Sequence, residues 1–302
     1  MNQLRHIIAA VDFTPSCRLA LKEAARRASL DGARLTAVHV MDDFLVKELT
    51  KALSQEPAAV VGEWQQRLEK FVQESIAGAV TVRCEVRLGS PFAELCSFCQ
   101  AHEADLLVMG AKGSKQEPHR LGVIAAKCVR KSPVDVLVVR EEAQGPFKRI
   151  VACVDFSENS AKAVRRALHV AAQDAAALDC LHVHQSALAM QIDYGGFSPV
   201  NTVQIDPDAQ QHWEAELGNF LAPLTQEEPS VKTTSHVIER LNVRQTILEH
   251  VEQASADLVV VGTRGRSGLR EMFIGTTAEK IIQAIPCSIL AVKPDGFAAH
   301  AD

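Results

Sequence analysis

The sequence predicts an α/β fold made twice: two doubly wound domains, each a parallel sheet flanked by helices. Three observations predict it. The chain has 302 residues, enough for two domains of ordinary size. Short apolar, β-branched runs alternate with helical stretches, as in a parallel sheet covered on both faces. The whole pattern then recurs once in the second half.

The recurrence is specific. Arg5 to Val11 is an apolar run entering Asp12-Phe13-Thr14, and Lys148 to Val154 enters Asp155-Phe156-Ser157 in the same way. The block Leu35 to Val40 returns as Leu178 to Val183. Ala104 to Gly110 matches Ala256 to Gly262, and Ser132 to Val139 matches Ile285 to Val292. Four blocks in one order, with a period of a whole domain, describe a duplication and not a solenoid. The expected domains are residues 1–143 and 147–294, joined by a short polar linker around Gly145-Pro146.

Within the first half, residues 6–11, 34–40, 80–88, 105–110 and 134–139 read as strands. Ser16 to Leu30 reads as a helix with Leu19, Ala20, Ala24 and Ala28 on its apolar face, and Phe92 to His102 as another. Trp64 and Trp213 fall on amphipathic stretches and are read as packing anchors.

Bulk properties narrow the function. A net charge of −5 without a basic block, and 5% aromatic residues, argue against nucleic-acid binding. The amino terminus lacks a signal-peptide pattern and no apolar run is long enough to span a membrane, so the expected location is the cytoplasm. The eight cysteines are scattered on mostly apolar segments, as reduced core thiols are. Cys96 and Cys99 lie inside a predicted helix, not at the strand-to-helix junction that redox pairs use.

A doubly wound sheet binds ligands beyond the carboxyl ends of its strands, where strand order reverses. In the second half, Asp155 ends the first strand, and Gly262-Thr263-Arg264-Gly265 ends the fourth. The loop Arg266 to Ile274 then closes on Gly275-Thr276-Thr277 at a helix start. Glycines let backbone N–H groups approach phosphate oxygens, and a helix entry capped by threonine favours an anion. Asp155 suits a ribose hydroxyl or an adenine amino group.

Gly262-x2-Gly265-x9-Gly275-Thr276 resembles the ATP-binding signature of the universal stress protein family, and Arg266 to Arg270 is similar to that family too. The resemblance spans essentially the full chain, as two copies. It implies a five-stranded parallel sheet of order 3-2-1-4-5 in each domain. It also implies adenine or ribose contact at Asp155, and backbone contact near Val183. Nucleotide contacts are implied at Gly262, Arg264, Gly265, Gly275, Thr276 and Thr277. The expected ligand is ATP, or ADP or AMP, with Mg²⁺, and neither a catalytic residue nor a metal ligand is assigned.

The first-half counterpart is degenerate. Gly110-Ala111-Lys112-Gly113 is followed by an eight-residue spacer, one short, and by Gly122-Val123, which lacks the threonine hydroxyl. Glu117 repels phosphate and Pro118 removes an N–H donor. This half is read as a structural copy, with an adenylate lacking polyphosphate as an alternative ligand.

Other features carry less. His182 and His184 share a strand face, and His212 or Asp193 is the candidate third metal ligand, but His39 recurs at the position of His182, which favours structure. Met190 to Asp208 is a long insertion, read either as a lid or as a surface excursion. The leading function is a binding module in which nucleotide tunes conformation or association with an unknown protein partner. The alternatives are a slow ATPase, for which no general base or Walker motif is evident, and a nucleotide-free scaffold. The apolar last strands, Val134 to Val139 and Ser288 to Val292, suit pairing within the tandem chain, or a homodimer.

Overall fold

The structure is a computed structural model. It describes residues 3–53, 56–76, 78, 80–112, 121–140, 145–184, 207–240, 242–264, 282 and 284–297. By their internal contacts the residues fall into two compact units, Asn2–Gly145 with Cys287–Asp302, and Pro146–Pro286.

The first unit runs β1 (His6–Ala10), α1 (Pro15–Asp31), β2 (Arg34–Met41), α2 (Asp43–Leu53), α3 (Pro57–Ile76), β3 (Val82–Leu88), α4 (Pro91–Ala101), β4 (Leu106–Gly110), α5 (Val123–Lys131) and β5 (Asp135–Val139). These strands lie in the order β3-β2-β1-β4-β5, all parallel, which is the expected 3-2-1-4-5 arrangement. Helices α1 and α3 touch each other, as do α4 and α5. These are the two pairs that right-handed crossovers place on opposite faces of such a sheet.

Burial explains the near-continuous apolar strands: Ile7, Ile8, Val108, Val136 and Val138 are fully buried. Helix α1 is more enclosed than a one-stripe reading predicts. Leu21 and Ala25 join Ala20, Ala24 and Ala28 in the core, while Leu19 is only half-buried. Even Arg27 lies inside, held by Glu23 through a 2.7 Å contact to Nε.

The second unit repeats the pattern with β6 (Arg149–Cys153), α6 (Glu158–Asp174), β7 (Ala177–His184), α7 (Pro207–Thr225), β8 (Thr233–Glu239), α8 (Val243–Gln253) and β9 (Leu258–Gly262). Its strands lie parallel in the order β9-β6-β7-β8, the same 3-2-1-4 sequence. The fifth strand of the repeat, β10 (Ser288–Val292), groups with the first unit and pairs antiparallel with β5, Leu290 opposite Leu137. Apolar edge strands need a partner, and this pairing supplies one.

The residues that follow these two last strands are both buried cations. Arg140 donates from Nε to the Cys287 carbonyl (3.1 Å). Lys293 donates from Nζ to the carbonyls of Val129 (2.6 Å) and Arg130 (3.0 Å), at the carboxyl end of α5 where a cation is favoured.

Candidate functional site

Asp155, Val183, Gly262 and Arg264 all lie at, or just beyond, the carboxyl ends of three neighbouring strands, β6, β7 and β9. Strand order reverses between β6 and β9, so these ends form the switch point of the second unit. Gly265, Gly275, Thr276 and Thr277 lie outside the described residues, as does most of the Met190 to Asp208 insertion.

Local hydrogen bonds fix Asp155. Its Oδ1 accepts from the Ser157 N–H (3.1 Å) and from the Ser157 hydroxyl (2.6 Å). Ser157 caps α6, its Oγ accepting from the Ser160 N–H at 3.0 Å. The carboxylate is thereby held at the amino end of a 17-residue helix. Between them, Phe156 takes φ 62°, a left-handed conformation unusual for a bulky side chain. Its ring is secured against His182 (4.4 Å between centroids), Trp213 (5.8 Å) and Phe220 (5.5 Å).

The first unit repeats this device almost atom for atom. Asp12 Oδ1 accepts from the Thr14 N–H (3.0 Å) and hydroxyl (2.5 Å), and Phe13 also sits at φ 62°. Phe13 packs on His39 (4.7 Å), Trp64 (5.6 Å) and Phe71 (5.4 Å). His39 Nδ1 lies 2.7 Å from the Val11 carbonyl and His182 Nδ1 2.8 Å from the Val154 carbonyl. The two histidines tie strand ends together, and both tryptophans pack on them (5.1 Å for Trp64, 5.3 Å for Trp213).

The first glycine of the motif has a packing reason in both halves. A Cβ on Gly262 would lie 2.8 Å from Asn159 Nδ2, and one on Gly110 would lie 2.7 Å from Ser16 Oγ and 2.8 Å from the Ser16 carbonyl carbon. At Gly110 helix and strand approach too closely for any side chain, and at Gly262 the Asn159 amide would have to move, whether or not a ligand is present. Asn159 also donates to the Arg264 carbonyl at 3.3 Å, pinning the strand exit to α6. The degenerate loop of the first unit returns to the sheet at Gly122, whose N–H donates to the Ala111 carbonyl (2.8 Å) as α5 begins.

Sequence reasoning missed two features at this site. Phe13 and Phe156 carry no motif that announces a left-handed backbone, although the recurrence of Asp-Phe-(Thr/Ser) marked them as a unit. His184, next to Val183, has a buried Nδ1 with no hydrogen-bond partner, and Glu239, its register partner on β8, has such an Oε2. Burial, countered by Glu239, pushes the His184 imidazole below its ordinary pKa. Unsatisfied buried polar atoms beside a proposed ligand contact suit a polar group arriving there.

No reactive thiol faces the switch point among the described residues. Burial, then the charge of Asp155, pushes Cys153 up to about 12. Cys96 and Cys99 are buried within α4, Cys96 pushed up to about 11 and Cys99 well above its ordinary value, both chiefly by burial. A cleft of about 540 Å³ lined by His6, Arg34, Thr36, Arg83 and His102 lies at the amino ends of the first unit's strands, the wrong end for a switch-point ligand.

Fold and site together define a tandem doubly wound α/β protein with its polar residues gathered at the switch point. The chain belongs to the universal stress protein family, whose sequence model matches residues 3–140 and again residues 146–293. A universal stress protein of Mycobacterium tuberculosis is 27% identical over 310 residues, covering 97% of each chain. Universal stress protein A homolog 1 of Coxiella burnetii is 32% identical over 147 residues, 48% of this chain and 96% of its own. The crystal structure of a universal stress protein from Archaeoglobus fulgidus has the same fold at 17% identity, with a TM-score of 0.69 over 95% of this chain and 98% of that one. Among the described residues no helix is long and apolar enough to cross a membrane.

Proposed function

We propose that the second domain, residues 147–294, binds ATP or a related adenine nucleotide, with Mg²⁺ on its phosphates, and that occupancy tunes conformation or partner association. Asp155 meets the ribose or base and the Val183 backbone the base. Gly262, Arg264, Gly265, Gly275, Thr276 and Thr277 cradle the phosphates. The domain of residues 1–143 is a structural copy. One observation carries the reading: Asp155, Val183, Gly262 and Arg264 converge on the carboxyl ends of neighbouring strands at the switch point. The orphaned Nδ1 of His184 supports it.

The Asp155 carboxylate, oriented by Ser157, accepts a hydrogen bond from the nucleotide. The glycines admit the phosphate chain to backbone N–H groups. No general base is evident among the described residues of this set, so the proposed role is binding and not turnover.

Thermal unfolding with and without Mg-ATP tests this on the wild type and on Gly275→Asp. Ligand at ~1,000 times its Kd adds about 4 kcal/mol to the domain that binds it. For a domain of this size that raises its midpoint by roughly 8–16 °C. One transition should move, and Gly275→Asp should abolish the movement. If neither transition moves, the loop is a relic and the scaffold reading takes over. Sustained ATP turnover above a heat-treated control would make the protein an enzyme instead.

A further inference from the structure

On the face of the second unit covered by α8, three side chains from three elements converge. Asp179 projects from β7, His236 from β8 and His250 from α8. Asp179 Oδ1 lies 3.8 Å from His236 Nε2, and Asp179 Oδ2 lies 3.9 Å from His250 Nε2. None of the three atoms is more than 4.8 Å from another. The histidine rings are 4.9 Å apart, centroid to centroid.

We propose that Asp179, His236 and His250 bind a divalent transition-metal ion of the Zn²⁺ class, with solvent as the fourth ligand.

Three observations carry this. First, the Nε2 of His250 is buried and makes no hydrogen bond, a costly arrangement unless something accepts its lone pair or proton. Second, the Thr234 hydroxyl donates to Asp179 Oδ1, an outer contact of the kind that orients ligating carboxylates. Third, His236 is 43% exposed against 12% for His250, so an ion can enter from solvent and keep a water there.

Geometry and donor chemistry agree on the class of ion. Metal–nitrogen bonds of about 2.0–2.1 Å in a tetrahedral site put ligand atoms roughly 3.3 Å apart. Rotation of the exposed His236 ring and a small shift of Asp179 cover the difference. Two imidazoles and one carboxylate select a borderline transition metal over Mg²⁺ or Ca²⁺, which prefer all-oxygen shells.

The first unit lacks the set. Register and helix alignment put Thr36 where Asp179 stands, Glu85 where His236 stands and Phe98 where His250 stands. Thr36 is bonded there to His6 Nε2 at 2.9 Å, and Glu85 to Arg83 Nε at 2.6 Å. The duplicated fold does not itself require the triad.

The test is titration of the chelator-treated full-length protein with Zn²⁺, and with Co²⁺ as a spectroscopic reporter. One equivalent per chain is expected, with the visible bands of a tetrahedral nitrogen–oxygen site and no thiolate charge-transfer band. His236→Gln, at an exposed position, and His250→Phe, which installs the residue of the first half, should each weaken binding more than about 100-fold. Thr234→Val should weaken it about 10–100-fold. Circular dichroism of both ligand variants should be unchanged, and so should any Mg-ATP shift, which separates this site from the nucleotide site. Failure to bind either ion at micromolar concentration, binding that survives both ligand variants, or a thiolate spectrum would each overturn the assignment.

Discussion

The two halves of the chain share their supports and differ in their equipment. Both carry an aspartate pinned by the next hydroxyl, a phenylalanine in a left-handed turn, a histidine bonded to the first strand's end and a tryptophan packed on that histidine. Only the second carries in its sequence the nine-residue spacer before Gly275 and the threonine, Thr276, that follows it. The aspartate and the first glycine are thus held by packing in both halves, where they mark the switch point without separating the proposed binding half from its copy. Discrimination between the halves rests on the loop and on what surrounds it.

That comparison can be broken most sharply at the first motif glycine. The Cβ of Gly110→Ala would meet backbone atoms of Ser16 and Cys17 at 2.8 and 2.9 Å, whereas the nearest atom to a Cβ on Gly262 is the movable Asn159 amide. Overpacking predicts a loss of about 3 kcal/mol for Gly110→Ala and about 1–2 kcal/mol for Gly262→Ala, read from urea unfolding. Equal losses would mean that the two helix–strand junctions are equally tight.

The two buried cations sharpen it next. A guanidinium such as that of Arg140 stays charged, but burial pushes Lys293 down to about 7, against the pull of Asp135. Below pH 7 the lysine is protonated in both folded and unfolded chains, and the cost of burying it is constant. Above pH 7 the folded state releases a proton that the unfolded state still holds, so stability rises with pH, by roughly 1–2 kcal/mol up to about pH 8.5. Near pH 9 the gain ends. Buried thiols such as Cys17, raised to about 12 by burial, stay protonated in the fold while unfolded thiols ionise, which lowers stability. Urea midpoints across this window should climb for the wild type and stay flat for Lys293→Arg.

The smallest difference lies at the helix ends. Helix α1 closes on Gly32 at φ 66°, whereas α6 closes on Ala175 at φ 52°. Ala175→Gly removes a left-handed penalty and should raise stability by about 1 kcal/mol, visible as a small upward midpoint shift. No gain would mean that Ala175 is held by contacts stronger than the backbone strain.

Most of the architecture was legible because burial writes itself into apolar runs. The strands at Ile7-Ile8, Leu106-Leu107 and Val136-Val138 could hardly be exposed. The duplication then supplied topology twice over. What escaped was whatever depends on close approach between distant residues. Leu21, not Leu19, faces the core because α1 is enclosed on more than one side. Nothing local marks Asp179, His236 and His250 as neighbours, since register brings the first two together and a crossover helix brings the third. The switch-point residues were legible for the opposite reason: Asp155 and Gly262 end the first and third pattern blocks, and chain topology alone gathers such ends.

The antiparallel partner of β5 has a bearing on how the protein is made. The Lys293 N–H donates to Asp135 Oδ1 across 158 residues of sequence. During synthesis the five parallel strands of the first repeat are complete long before β10 emerges. Until then β5 presents an open apolar edge, and its closing contacts are among the most costly in chain entropy. Emergence of β10, and not completion of the first repeat, is the moment at which this edge stops being a hazard for pairing with a neighbour on the same polysome.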